Sequence, residues 1–319
     1  MSVSSLLPAP NSPLPIIIDT DPGIDDCLAL LLALNSPELD IRGISISYGN
    51  TVVENAFRNA VEILHRSKRR VPLGVGARRP LKRSLEVAAD THGPSGLGYA
   101  ELPPAGVILD YVRPLARLLD AQPGPVTLVT LGPVTSLALA LRSDPELVRA
   151  KVSRHVAMIG NIEAAGNTTK YSEFNAWCDP EALATVLGAE FPTEMIGLDV
   201  TRKLVVRATE AERLTRSAPW LHEALRFYIE FHRKQEGFDG AVVNDVLAIA
   251  YLLQPDVLTF SDLRLSVDLD DGQNRGRTRL DARGSFVRVA LEVHPAPVRR
   301  LLFERVFPGG ALADAEAVA

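Results

Sequence analysis

A chain of 319 residues, 46% of them hydrophobic, carries enough apolar material for one large α/β domain or two small ones. A formal net charge of −5 argues against a nucleic-acid surface, which needs a basic field, so Lys68-Arg69-Arg70 and the cluster at 78–83 read as solvated faces. Two cysteines, Cys27 and Cys178, make no disulfide framework and suit a reducing cytoplasm, and no apolar run reaches membrane-spanning length without a charge or turn signal. Residues 1–14 hold Ser and Pro but no basic segment followed by an apolar one, and read as a loose tail. The β-branched run at 16–20 predicts a buried strand, which Pro22-Gly23 stops, and the uniformly apolar 27–34 a buried helix. Further strands are expected at 41–47, 71–75, 126–131, 152–159 and 193–198. Between them fall helical patterns at 51–68, 114–121, 134–142 and 180–187; in the first, Val53, Phe57, Ala60, Val61 and Leu64 share a face. A long helix is expected over 217–236, late strands over 263–293 close one edge, and 309–319 read as a frayed tail. This alternation predicts one α/β domain over 15–308: a doubly wound, mostly parallel sheet with helices on both faces.

Ligands of such sheets bind beyond the carboxyl ends of the strands. Segments 19–26, 48–50, 131–132 and 160–175 all follow strand signals, so the fold gathers them on one rim. The first is Asp19-Thr20-Asp21-Pro22-Gly23-Ile24-Asp25-Asp26, four carboxylates in eight residues. A helix cap needs one acid, not four. Like charges at close range raise each other's pKa or require a cation, and a hard divalent ion with oxygen ligands answers that need. Asn244-Asp245 ahead of an all-apolar 246–253 repeats the pattern, so two buried helices can aim carboxylates at one point; two independent capped helices explain that echo equally well. The Asp19/Asp21 spacing also suits a phosphatase of the haloacid dehalogenase type, although that reading leaves Asp25 and Asp26 without work.

The octet resembles the N-terminal signature of the inosine–uridine nucleoside hydrolases. Further motifs follow in that family's order: Ser47-Tyr48-Gly49-Asn50, then His92-Gly93-Pro94-Ser95-Gly96-Leu97, then Leu131-Gly132-Pro133-Val134-Thr135. Gly166-Asn167, Glu173-Phe174-Asn175, Asp179-Pro180-Glu181, Leu198-Asp199-Val200-Thr201 and Asn244-Asp245 complete the series. Each is short, but the ordered set runs from residue 16 to about 255. The resemblance implies a Rossmann-like single domain that cleaves the N-glycosidic bond of a small-molecule ribonucleoside, assembled as a homodimer or homotetramer. It implies Ca²⁺ held by Asp21, Asp26, Asp245 and the main-chain carbonyl of Leu131, with Asp21 also activating the attacking water. It places Asp25, Asn167, Glu173 and Asn175 on the ribose hydroxyls with Asn50 nearby; Phe174, Tyr228, His232 and Asn244 are expected in the same substrate set.

One position departs from the family. Many members carry a histidine before the last calcium-binding aspartate, where it protonates the leaving base; this chain has Asn244, which donates a hydrogen bond but delivers no proton. His92, on the loop that matches the family, is the first substitute, and His232, one helical turn from Tyr228, the second. His155 and His65 read as structural. Asn244 also leaves open a degenerate member that binds ribonucleosides without turnover. Taken alone, Asn167 reads as a turn residue, Glu173 as an exposed loop acid and His232 as a solvated surface residue.

Overall fold

The computed structural model describes residues 12–103, 114–189 and 191–307, so the calls of loose ends at 1–11 and 309–319 lie outside the described residues. Leu14 opens the first strand, so the predicted tail ends before it. In chain order the strands are β1 (Leu14–Thr20), β2 (Leu39–Ile46), β3 (Leu73–Val75), β4 (Val126–Thr130), β5 (Val152–Met158), β6 (Thr193–Ile196), β7 (Val205–Arg207), β8 (Gly240–Val242), β9 (Leu258–Val267), β10 (Thr278–Leu280) and β11 (Ser285–Val293). Nine of them form one sheet in the order β10-β9-β11-β6-β5-β4-β1-β2-β3, and β7 with β8 makes a small antiparallel pair. From β3 to β11 every neighbour is parallel; only β9 runs against the rest, pairing antiparallel with β11 on one side and with the edge strand β10 on the other.

Side chains alternate across a strand, and here each face meets its own core. Ile16 and Ile18 enter one core, and Ile17 enters the other. The helices Ile24–Leu34, Val53–Arg66, Pro219–Gln235, Val246–Leu253 and Pro295–Val306 pack on the first face. Leu115–Asp120, Thr135–Ser143, Pro145–Lys151 and Pro180–Gly188 pack on the second. This is the doubly wound arrangement that the apolar strand runs predict.

β1 pairs with β2 on one side and β4 on the other, so the winding reverses between β1 and β4. That switch point opens a crevice at the carboxyl ends of these strands, where Asp21 and Leu131 stand. Two expectations change. The strand expected at 71–75 shortens to Leu73–Val75, because Pro72 has no N–H for the ladder and offers only its carbonyl, to Ile44. β7 and β8 were not foreseen, since three-residue strands carry no periodicity.

Candidate active site

After β1 the chain turns at Pro22-Gly23 and enters the Ile24–Leu34 helix, so Asp25 and Asp26 lie in its first turn. Asp26 is fully buried: its Oδ2 accepts the Gly23 N–H at 3.0 Å and the Asn50 amide at 2.7 Å, and the Thr20 hydroxyl donates to Oδ1. Asp245 stands directly before the Val246–Leu253 helix, which packs against Ile24–Leu34. The echo between the two acidic helix starts is therefore one site: carboxylate oxygens of Asp25, Asp26 and Asp245 lie within 4.8 Å of one another. Burial and then mutual repulsion push Asp245 and Asp21 well above the usual carboxylate range; burial pushes Asp26 up and Asp25 to about 6.

Asp21 sits beneath the cleft, at 0% exposure. Its Oδ2 accepts the Asn50 backbone N–H at 2.6 Å, while Oδ1 is buried with no hydrogen-bond partner among the described residues. A Cβ at Gly49 or Gly132 would overlap this carboxylate, which is why glycine stands at both. The Leu131 carbonyl accepts the Asn175 amide at 2.7 Å and keeps a second lone pair. Three buried acids, one orphaned carboxylate oxygen and a carbonyl make a hard-oxygen donor set, and it fits a divalent cation. The close triad contains Asp25, where the resemblance implies Asp21. The octet's fourth acid, Asp19, lies beside Ser45 and Ser136 and is pushed by burial to about 7.

Across the cleft, Glu173 is 1% exposed and is no loop acid. It caps the Phe174–Cys178 helix, accepting the N–H groups of Asn175 at 2.7 Å, Gly160 at 2.9 Å and Ala176 at 3.0 Å, and burial pushes it to about 7. Asn167 sits exposed at the rim and accepts the Phe174 N–H at 2.9 Å; its φ is negative, so it is not a left-handed turn residue. Asp199, which was given no role in advance, accepts the N–H groups of Ile162, Glu163 and Ala164 at 2.7–2.9 Å and ties down the 160–175 loop. Its signal was available: an aspartate opening the Leu198–Thr201 helix in a motif shared with the family.

His92 closes the short Ala89–His92 helix and is buried, not on a loose loop. Its Nδ1 accepts the Ile24 N–H at 3.1 Å, and burial pushes its pKa down to about 4. That bond requires a neutral ring with the proton on Nε2; protonating Nδ1 would orphan a helix N–H. As a proton donor to the leaving group, the role expected of His92, the ring would have to give up this bond first. His232 differs. It is 4% exposed rather than solvated, and its Nδ1 donates to the Tyr228 carbonyl at 2.8 Å, which leaves Nε2 without a hydrogen-bond partner among the described residues and able to gain and lose a proton. The Tyr228 ring contacts both histidines, with centroids 5.1 Å from His92 and 4.5 Å from His232. His155 is buried mid-strand between Thr130 and Thr193 and His65 is exposed, both away from the cleft.

One cleft is lined by Asp25, Asn50, His92, Leu131, Asn167, Glu173, Phe174, Asn175, Tyr228, His232, Asn244 and Asp245. Asp21 and Asp26, both fully buried, accept hydrogen bonds from the lining residue Asn50, so every residue expected to act in catalysis, substrate binding or metal binding lines the cleft or touches its lining. Thr91, Arg202, Phe231 and Glu236 also line it and were given no role in the sequence.

The profile of the inosine-uridine preferring nucleoside hydrolases matches residues 16–300. The pyrimidine-specific ribonucleoside hydrolase RihA of Salmonella agona is 40% identical over 277 residues, 84% of this chain and 88% of that protein. Among solved structures, a plant nucleoside hydrolase superposes with TM-score 0.86 at 29% identity, covering 93% of this chain and 99% of its own. The purine-preferring ribonucleoside hydrolase of Gardnerella vaginalis superposes with TM-score 0.84 at 28% identity, covering 91% and 97%. These matches span nearly the whole fold, and they set aside the phosphatase reading of the Asp19/Asp21 spacing. With the acidic octet, the Glu173-Phe174-Asn175 block and Asp245 meeting at one switch-point cleft, this chain belongs to the inosine-uridine preferring nucleoside hydrolase family.

Proposed function

We propose that this N-glycosyl hydrolase splits ribonucleosides into free base and ribose, with pyrimidine ribonucleosides as its first substrates. The observation that carries the reading is the meeting of the buried Asp21/Asp25/Asp26/Asp245 group with Asn167, Glu173 and Asn175 across one cleft. The pyrimidine preference rests on the 40% identity to RihA. Calcium, held by Asp21, Asp26, Asp245 and the Leu131 carbonyl, would acidify a water and orient the ribose diol.

The chain's own groups do the rest. Asp21 takes the proton of the attacking water on Oδ1, which accepts no hydrogen bond among the described residues. Asp25, Asn167, Glu173 and Asn175 hold the ribose hydroxyls, since a diol needs both donors and acceptors. The carboxylates among them also favour the cationic character that grows on the sugar as the bond to the base breaks. His232 delivers a proton from Nε2 to the departing base. Incubation with a panel of ribonucleosides, scoring released ribose, tests the reading; uridine and cytidine should lead. Nucleoside binding with no ribose released would select the non-catalytic member that Asn244 left open.

Two further results are expected. Calcium in thousandfold excess over its Kd should stabilise the fold by about 4 kcal/mol, and Asp26→Ala should abolish that gain, read as Tm. The acids of this group hold protons at higher pH in the calcium-free fold than in the unfolded chain. The stability of the calcium-free protein should therefore fall as pH rises from the usual carboxylate range through these raised values, and the calcium gain should grow over the same span. An unchanged calcium response in Asp26→Ala would remove this site. On the sugar, a 2′-deoxynucleoside leaves buried partners unpaired, so uridine should exceed 2′-deoxyuridine by at least about tenfold in kcat/KM. Equal rates would count against a ribose-reading site.

A further inference from the structure

The side chain of Asn244 is held at both ends. Its Nδ2 donates to Asp25 Oδ2 at 3.3 Å, and its Oδ1 accepts the Thr201 hydroxyl at 2.8 Å. Thr201 is fully buried and ends the Leu198–Thr201 helix, whose Asp199 is tied to the 160–175 loop. The amide cannot usefully turn over: the flipped form would set Oδ1 against the Asp25 carboxylate, two acceptors facing each other. The carboxylate of Asp25, which only accepts, thus sets which way the amide points, Thr201 anchors its other end, and Asn244 holds one oxygen of Asp25. We infer that Asn244 is a positioning residue: a neutral strut between Thr201 and Asp25 that keeps the Asp25 carboxylate turned to the ribose.

Asp25 needs such a hold because it shares a small space with Asp26 and Asp245. A carboxylate in that company turns toward whatever positive charge is nearest, and its second oxygen is lost to the sugar unless a fixed donor restrains it. An asparagine does this without adding charge. The backbone N–H of Asn244 also favours the ionised Asp25, so a side-chain substitution removes part of the hold and not all of it. The residue that breaks the family pattern thereby has work that needs no proton transfer.

This inference rests on the hydrolase reading and on Asp25 as a ribose contact. The test measures kcat/KM for uridine and for 2′-deoxyuridine in the full-length, calcium-loaded enzyme. The variants are Asn244→Ala, Asn244→Leu (nearly the same shape, with neither donor nor acceptor) and Thr201→Val, the last keeping Asn244 itself. The ribo-to-deoxy ratio should fall about tenfold in both Asn244 variants, the typical worth of a hydrogen bond to a charged group, and about threefold in Thr201→Val. In an Asp25→Ala background, Asn244→Ala should change the ratio less than about twofold, because its partner is gone. Thermal melts report folding, and Thr201→Val carries the test if an Asn244 variant fails to fold. A wild-type ratio in the folded variants, or a full tenfold loss in the Asp25→Ala background, would overturn the inference while the hydrolase reading stands. A wild-type enzyme that releases no ribose would remove both.

Discussion

Asp21→Asn lowers kcat by about 10²–10⁴-fold, the usual range for loss of a general base. The substitution keeps the size of the side chain, and the new amide can still present an oxygen to the Asn50 N–H that Asp21 Oδ2 now accepts. What it replaces is Oδ1, buried without a hydrogen-bond partner among the described residues, by an NH₂ group that cannot take a proton. Because Asp21 is also assigned to the cation, kcat alone does not separate the two roles, and the calcium response of Tm does. An amide oxygen remains a hard donor, so the calcium gain should shrink but persist in Asp21→Asn, whereas Asp26→Ala should lose it. Loss of rate together with a surviving calcium response assigns the proton to Asp21. A variant that keeps kcat within about fivefold of wild type would move the base elsewhere.

Much of the scaffold was legible because buried parallel strands advertise themselves. Ile16-Ile17-Ile18 has no polar face to offer water, and in the structure its side chains feed two separate cores. The octet was legible for the opposite reason: four acids next to such a strand are too costly to be accidental. What remained hidden depends on contacts distant in sequence. That Asp25 joins Asp26 and Asp245 more closely than Asp21 does follows from how two helix starts meet, and spacing within an octet does not encode it. The burial of His232 comes from Phe231 and Phe238 around its ring and from its seat on Pro219–Gln235; a helical histidine among charged neighbours looks solvated on paper. The bond from the Ile24 N–H to His92 crosses 68 residues and decides which ring nitrogen carries the proton. Asp199 was readable as a motif but not as the clamp on the 160–175 loop, because its three partners are backbone groups that no residue type announces.

His232→Ala should lower kcat on uridine by about 10²–10⁴-fold and leave 4-nitrophenyl riboside nearly unaffected, since that leaving group departs without a proton. The contrast with His92 is the core of this prediction. His92 holds the Ile24 N–H on Nδ1 and is driven neutral by burial, so as an acid it would have to break a helix-start hydrogen bond first. His232 spends Nδ1 on the Tyr228 carbonyl, a bond that persists in both charge states, and keeps Nε2 for proton transfer. Burial lowers the His232 pKa, partly opposed by the nearby Glu236. The acid must be protonated to act, so the rate on uridine should fall, relative to the activated riboside, as pH rises. His92→Ala should cost both substrates alike, because what it disturbs is the start of the Ile24–Leu34 helix and with it Asp25 and Asp26. Asn244→His would return an imidazole to the family's position, and it should partly rescue uridine turnover in His232→Ala. The assignment fails if His232→Ala slows both substrates equally, or if the uridine loss appears only in His92→Ala; the proton would then come from a group other than His232.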